Sequence, residues 1–250
     1  MLPITKRKLA DEYGIDYDIA AFFADRTPPD NNHFWKGKYV YLPNSLGYTI
    51  IPFLFDLQYK LGVDRSVLLD EKHIRLMEDG FDLMAKYEAK QINYEDFIAA
   101  CRILYTPAIA NSNFFNDLLL HLGNGKPSQY ALGSPVKALN RADAFFFTLC
   151  DIPVEEELLQ RIIKAWSCVK VNALILDDIS DLEPDRINGE ENSIIELGGT
   201  EAAMDKIQSM FKENVLSLAS INNKLAHYFE TSMAHLQKRV NFNTSANSNR

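Results

Sequence analysis

Three cysteines, Cys101, Cys150 and Cys168, are all that this chain of 250 residues carries. Odd in number and far apart, they form neither a CxxC pair nor the framework of a disulfide-stapled secreted domain, so a reducing cytoplasm is the expected location. Glycine and proline are scarce, at 11 and 10 residues. That excludes collagen-like and low-complexity chains and leaves few residues for the tight turns of an all-β fold. A basic surplus is also missing: 26 Lys and Arg stand against 34 Asp and Glu, a net charge of −8. Nucleic acid is therefore not an expected partner. The longest apolar stretches, near Ile50 to Phe55 and Ala144 to Cys150, fall far below the roughly 20 residues that cross a bilayer, so no transmembrane segment is expected. The basic residues of MLPITKRKLADEYG lead into acids, not an apolar core, and no signal peptide is expected.

What remains is an ordinary globular composition, 47% apolar, with apolar residues repeating at helical spacing along almost the whole chain. Residues 1 to 25 read as a short amphipathic helix and Arg26 to Lys38 (RTPPDNNHFWKGK) as loop. Helices are expected over 45–61, kinked at Pro52, over 66–90 with Ile74, Met77, Phe81 and Met84 on one face, and over 93–104, 111–122, 135–149 and 154–182. A polar loop from Glu183 to Asn192 precedes a last helix from Thr200 to about Val240. The GNGKPS turn at 123–128 lacks the earlier glycine of a phosphate loop, since position 120 is Leu. No repeat or composition shift marks a boundary. The expectation is one all-α domain over residues 1–240 with an unstructured tail at 241–250.

One segment carries chemistry. The apolar run Val171, Ala173, Leu174, Ile175 and Leu176 leads directly into Asp177, Asp178 and Asp181, with Asp185 beyond Pro184. Asp177 and Asp181 are one helical turn apart, about 6 Å along the axis, and so share a face. At a helix C-terminus these acids oppose the macrodipole as well as each other. Like charges about 6 Å apart repel by about 3 kcal/mol at an effective dielectric of 20 and by less than about 1 kcal/mol in bulk water. The stripe is therefore either well solvated or neutralised by a cation, and spaced oxygen ligands suit Mg²⁺, which shares its remaining positions with water and phosphate. None of the five histidines makes an HExxH or similar metal spacing.

DDISDLEPDRINGEEN resembles the second aspartate-rich motif of the class I, trans-type isoprenyl diphosphate synthases and their terpenoid-synthase relatives, including the acidic, Gly-containing loop and the Asn that follows. SPVKALNRADAFFF places Lys137 about where the family has a diphosphate-binding lysine before an apolar helix. The resemblance covers about Pro135 to Val240. It implies a helical bundle around a central apolar cavity, in which an allylic prenyl diphosphate ionises as Mg²⁺ neutralises the departing pyrophosphate and the carbocation survives away from water. It further implies Asp177, Asp178 and Asp181, with Asp185, as metal-side residues, Asp177 and Asp181 being catalytic. Lys137 becomes a diphosphate ligand, and Arg141, Lys170 and Arg186 further candidates. Phe145 to Phe147 or Phe114 and Phe115 could line a prenyl pocket, although adjacent phenylalanines on a helix are usually core.

The family's first motif, DDxxD on a facing helix, has no exact counterpart. The nearest string is Glu78-Asp79-Gly80-Phe81-Asp82, which supplies Glu78, Asp79 and Asp82 as the opposing metal ligands if the resemblance holds there. Leu174 stands where a glutamine is often found before the second motif. Three functions stay open: a prenyltransferase or terpene cyclase, a degenerate relative that binds a prenyl lipid or a protein without turnover, and an unrelated helical interaction protein with DDISD on its surface. A full exposure of Asp177 and Asp181 on a bundle without a cavity is the mark of the last. A homodimer is compatible with this composition.

Overall fold

The computed structural model describes residues 5–27, 29–33, 46–124 and 127–246. Among these, helices and turns account for all regular structure and no strand is present. No described helix is long and apolar enough to cross a membrane. The chain divides into two compact units, residues 1–132 with 143–166, and residues 133–142 with 167–250. Residue 28 and the part of the Arg26 to Lys38 loop from residue 34 onward, and residues 125 and 126 of the GNGKPS turn, lie outside the described residues.

In the first unit, helix starts follow the side-chain caps. Thr5, Asp16, Asp64, Asp70 and Asn93 each accept a backbone N–H in the first turn of Lys6–Asp11, Tyr17–Asp25, Arg65–Leu68, Glu71–Glu88 and Tyr94–Tyr105. These caps explain two departures from the expected spans. The single helix expected before residue 25 is two, separated at Gly14, whose φ of 70° is left-handed. The helix expected over 66–90 is also two, because Asp70 is extended and caps a fresh start at Glu71. Leu46–Leu61 continues through Pro52 as one helix, and Ser112–Asn124 is the helix expected after residue 111.

Between Ser134 and Cys150 the expected helix is replaced by 3-10 turns, Lys137–Asn140 in the second unit and Asp143–Leu149 in the first. Local side-chain bonds compete with the helical ladder in the earlier turn: Asn140 accepts the Ser134 N–H and donates back to the Ser134 carbonyl. The phenylalanines of the later turn are core. Phe147 stacks on Tyr105 with ring centroids 5.4 Å apart, Phe146 stacks on Trp166 at 6.4 Å, and the Trp166 indole donates to the Leu54 carbonyl. Phe114 is also wholly buried, edge-on to Tyr130.

Gly80 sits where Tyr105 crosses its helix. A Cβ added there would lie 2.5 Å from the Tyr105 hydroxyl, which donates to the Leu76 carbonyl. Beside it is a cavity of about 10 Å³, lined by Phe81, Met84, Phe97, Cys101 and Phe147 among others, with room for about one water molecule. In an ordinary helix Gly→Ala gains up to about 1 kcal/mol. Here the buried ring must move, an overpacking cost of about 1–3 kcal/mol. Gly80→Ala is therefore expected to lower the urea midpoint, and Gly80→Ala combined with Tyr105→Phe to recover part of the loss, as read by equilibrium unfolding.

The second unit takes the C-terminal part of the Glu156–Ser180 helix, where Val169, Val171, Ala173, Ile175, Leu176 and Ile179 are buried. The acidic stretch expected as loop contains a further helix, Leu182–Asn188, with Pro184 in its first turn, where a missing N–H removes no helical bond. Gly189, at φ 69°, ends it. Asn192 then caps Ser193–Glu196. The last expected helix is two, Glu201–Ala219 and Asn223–Ala246, folded back through three residues so that Phe211 meets Phe229 edge-on at 6.1 Å. Helix thus extends to Ala246 into the tail expected to lack structure from 241. Residues 247–250 lie outside the described residues.

Candidate functional site

The acids of the DDISD stretch have different surroundings. Asp178 is buried: one carboxylate oxygen takes a hydrogen bond from Arg141 at 2.7 Å and the other the Ser193 N–H at 2.8 Å. Its neighbour Asp177 points outward, its side chain 51% exposed, with Arg141 Nη2 at 3.2 Å. Asp181 is exposed at the start of the Leu182–Asn188 helix and makes no side-chain bond to it. Asp185 accepts from the Asn192 amide, which also donates to the Asp178 carbonyl. Asp178 and Asp185 thus hold the turn closed, and Asp177 and Asp181 are left on its outer face.

Arg141 reaches this group from a rigid base. The Glu196 carboxylate accepts the backbone N–H groups of Lys137 and Ala138 at 2.9 and 2.8 Å, pinning the start of the 3-10 turn. The Arg141 guanidinium donates back to the Ala138 carbonyl as well as to both aspartates. Partial burial is the largest influence on the Asp177 carboxyl and raises its pKa, assisted by the charges of Asp181 and Asp178 and opposed by Arg141. A second cation beside Asp177 would relieve that cost.

The other basic candidates divide. Lys137 is exposed in the same turn as Arg141, and Arg186 is exposed and pairs with Glu183 at 2.6 Å. Lys170 is buried, and burial pushes its amine down to about 7. It is a core amine and not a surface cation, an outcome that its position seven residues before Asp177 did not reveal.

Glu78, Asp79 and Asp82 belong to the first unit. Glu78 is wholly buried in a two-pronged pair with Arg26, Nε to Oε1 at 2.6 Å and Nη2 to Oε2 at 2.9 Å. Asp82 accepts the His33 N–H and pairs with Lys86 at 2.7 Å. Burial alone would raise its carboxyl, but Lys86 and His33 hold it below the usual value. Asp79 is raised, first by burial and then by the charges of Glu78 and Asp82. Of the three, Asp79 has the least support from cations.

Among the described residues no group of three or more His, Cys, Asp or Glu side chains is disposed to hold a metal ion. Asp177 and Asp181 nevertheless fit Mg²⁺ by donor type, because that ion is commonly held through one or two carboxylates and completed by water and phosphate oxygens. Sequence reasoning missed Arg26 and Ser193, which folding brings to Glu78 and Asp178, and Glu196, which it brings to the Lys137 and Ala138 N–H groups. Asn192 carried a signal, a cap residue followed after Ser193 by the apolar pair Ile194 and Ile195. Compared with protein-family models, curated proteins and solved structures, the chain matches none.

Proposed function

We propose that the chain is a Mg²⁺-dependent enzyme of isoprenoid biosynthesis, a divergent class I synthase that ionises an allylic prenyl diphosphate for prenyl transfer or cyclisation. The observation that carries this reading is the pairing of two outward carboxylates, Asp177 and Asp181, with the anchored guanidinium of Arg141 at the same turn. Asp177 and Asp181 would hold Mg²⁺, with Asp178 and Asp185 fixing the turn that presents them. When bound, the ion supplies neutralisation of the charge that builds on the departing diphosphate. Arg141 and Lys137, on one turn, would add positive charge for the same anion.

A second reading has its own support: binding of a prenyl lipid or a protein without turnover. Glu78 is sealed by Arg26 and Asp82 is engaged by Lys86 and His33, so two of the three acids expected to oppose the DDISD stretch are already paired. One experiment separates the two. The purified chain is incubated with dimethylallyl, geranyl, farnesyl and geranylgeranyl diphosphates, with and without isopentenyl diphosphate, and pyrophosphate release is followed. The enzyme reading expects release that stops with EDTA and falls about 10²-fold or more in Asp177→Ala, a size seen when one transition-state electrostatic contact is removed. No release from any substrate, or release that survives Asp177→Ala, would sink it. Saturable binding of a prenyl diphosphate without release would instead favour the second reading.

A further inference from the structure

In the first unit, three buried polar atoms meet no partner among the described residues: both amide atoms of Gln58 and Nε2 of His73. Gln58 is 0% exposed and His73 6%. Native proteins rarely leave such atoms unmet, because each loses its water and gains nothing in exchange.

Both residues neighbour Phe55. The His73 ring lies 5.5 Å from that of Phe55, and Phe55 and Gln58 are three residues apart on Leu46–Leu61, hence on the same side. The other ring nitrogen of His73 is committed: Nδ1 lies 3.1 and 2.9 Å from the two carboxylate oxygens of Asp151. A carboxylate only accepts, so Nδ1 carries the proton, and in the neutral ring Nε2 is left with a bare lone pair. Gln58 offers both a donor and an acceptor.

We propose that Gln58 and the Asp151-held His73 form a buried site for one small neutral hydroxyl, either a resident water or the hydroxyl of an organic molecule. A hydroxyl matches the unmet groups, donating to His73 Nε2 and accepting from the Gln58 amide. The facing charge, Asp151, disfavours an anion, and with its oxygens turned to Nδ1 it offers a cation no carboxylate at Nε2. The site belongs to the first unit and the DDISD acids to the second, and it does not depend on the reading proposed for them.

The test begins with the wild-type chain. Nitrogen-15 NMR of the His73 ring, with water-to-ring cross-relaxation and a methanol titration, reports both sources of the hydroxyl. Cross-relaxation from a long-lived water identifies a resident water, and a saturable methanol shift at His73 identifies an organic hydroxyl; either supports the site. Gln58→Leu is then expected to erase the signal and to lower Tm, since the occupant loses a partner. The proposal is overturned if His73 senses neither water nor methanol, or if Gln58→Leu raises Tm, the behaviour of a dry site relieved of an unmet amide.

Discussion

Replacing Arg26 with alanine is expected to destabilise the first unit by about 3–5 kcal/mol, the range for removing one partner of a buried ion pair. Glu78 has no exposed side-chain surface and Arg26 only 9%, so water cannot take over when the guanidinium is gone. Arg75 lies 3.5 Å from Glu78 but is itself about half exposed, a weak substitute at best. Arg26 also grips Glu71 through Nη1 and Nη2, and Asn32 donates to the Glu78 carbonyl, so the segment after residue 25 is tied to Glu71–Glu88 at several points. Chemical denaturation measures the loss. Removing both charges, as Arg26→Met with Glu78→Gln, is expected to be milder than Arg26→Ala alone, because no charge is left buried. A double variant as unstable as the single one would show that packing, not the ion pair, dominates.

The acidic stripe yields the second large effect, and it separates two adjacent residues. Asp178→Ala is expected to cost about 3 kcal/mol, because Arg141 loses its closest carboxylate among the described residues and the Ser193 N–H loses its acceptor in a buried turn. The guanidinium is one-quarter exposed, so water recovers part of the Arg141 contribution and the value lies at the low end for a buried pair. Asp177→Ala, one residue earlier, is expected to stay within about 0.5 kcal/mol of the parent, as surface substitutions do. Its longer contact to Arg141 contributes little, and its desolvated carboxyl, with a raised pKa, is itself a small burden. Thermal or urea unfolding of the two variants side by side tests the division. Equal losses would mean that the turn does not distinguish its two aspartates. The division matters for function because only Asp177→Ala can then be read as a probe of activity with the fold intact.

Residues that act within a turn or two of one another were legible in the sequence. The helix starts at Asn93 and Thr200, the helical stripe Ile74, Met77, Phe81 and Met84, and the shared face of Asp177 and Asp181 follow from spacing alone. Local competition blurred the rest: the Ser134 and Asn140 bonds and the Glu196 carboxylate turn an apolar, helix-like string into short 3-10 turns. Periodicity counts apolar residues and does not see a carboxylate arriving from beyond residue 190.

Helix formation and charge spacing are properties of neighbours, so the all-helical character and the local excess of acids at the end of an apolar helix were already present in the order of residues. Which acids are spoken for emerged on folding. Asp178 and Glu78 looked like their neighbours in the sequence, yet each is buried against an arginine, Arg141 and Arg26, that lies 37 and 52 residues away along the chain. Which cation meets a carboxylate, and whether water still reaches it, depends on contacts distant in sequence, and these set the energy of a charge more strongly than the residues beside it.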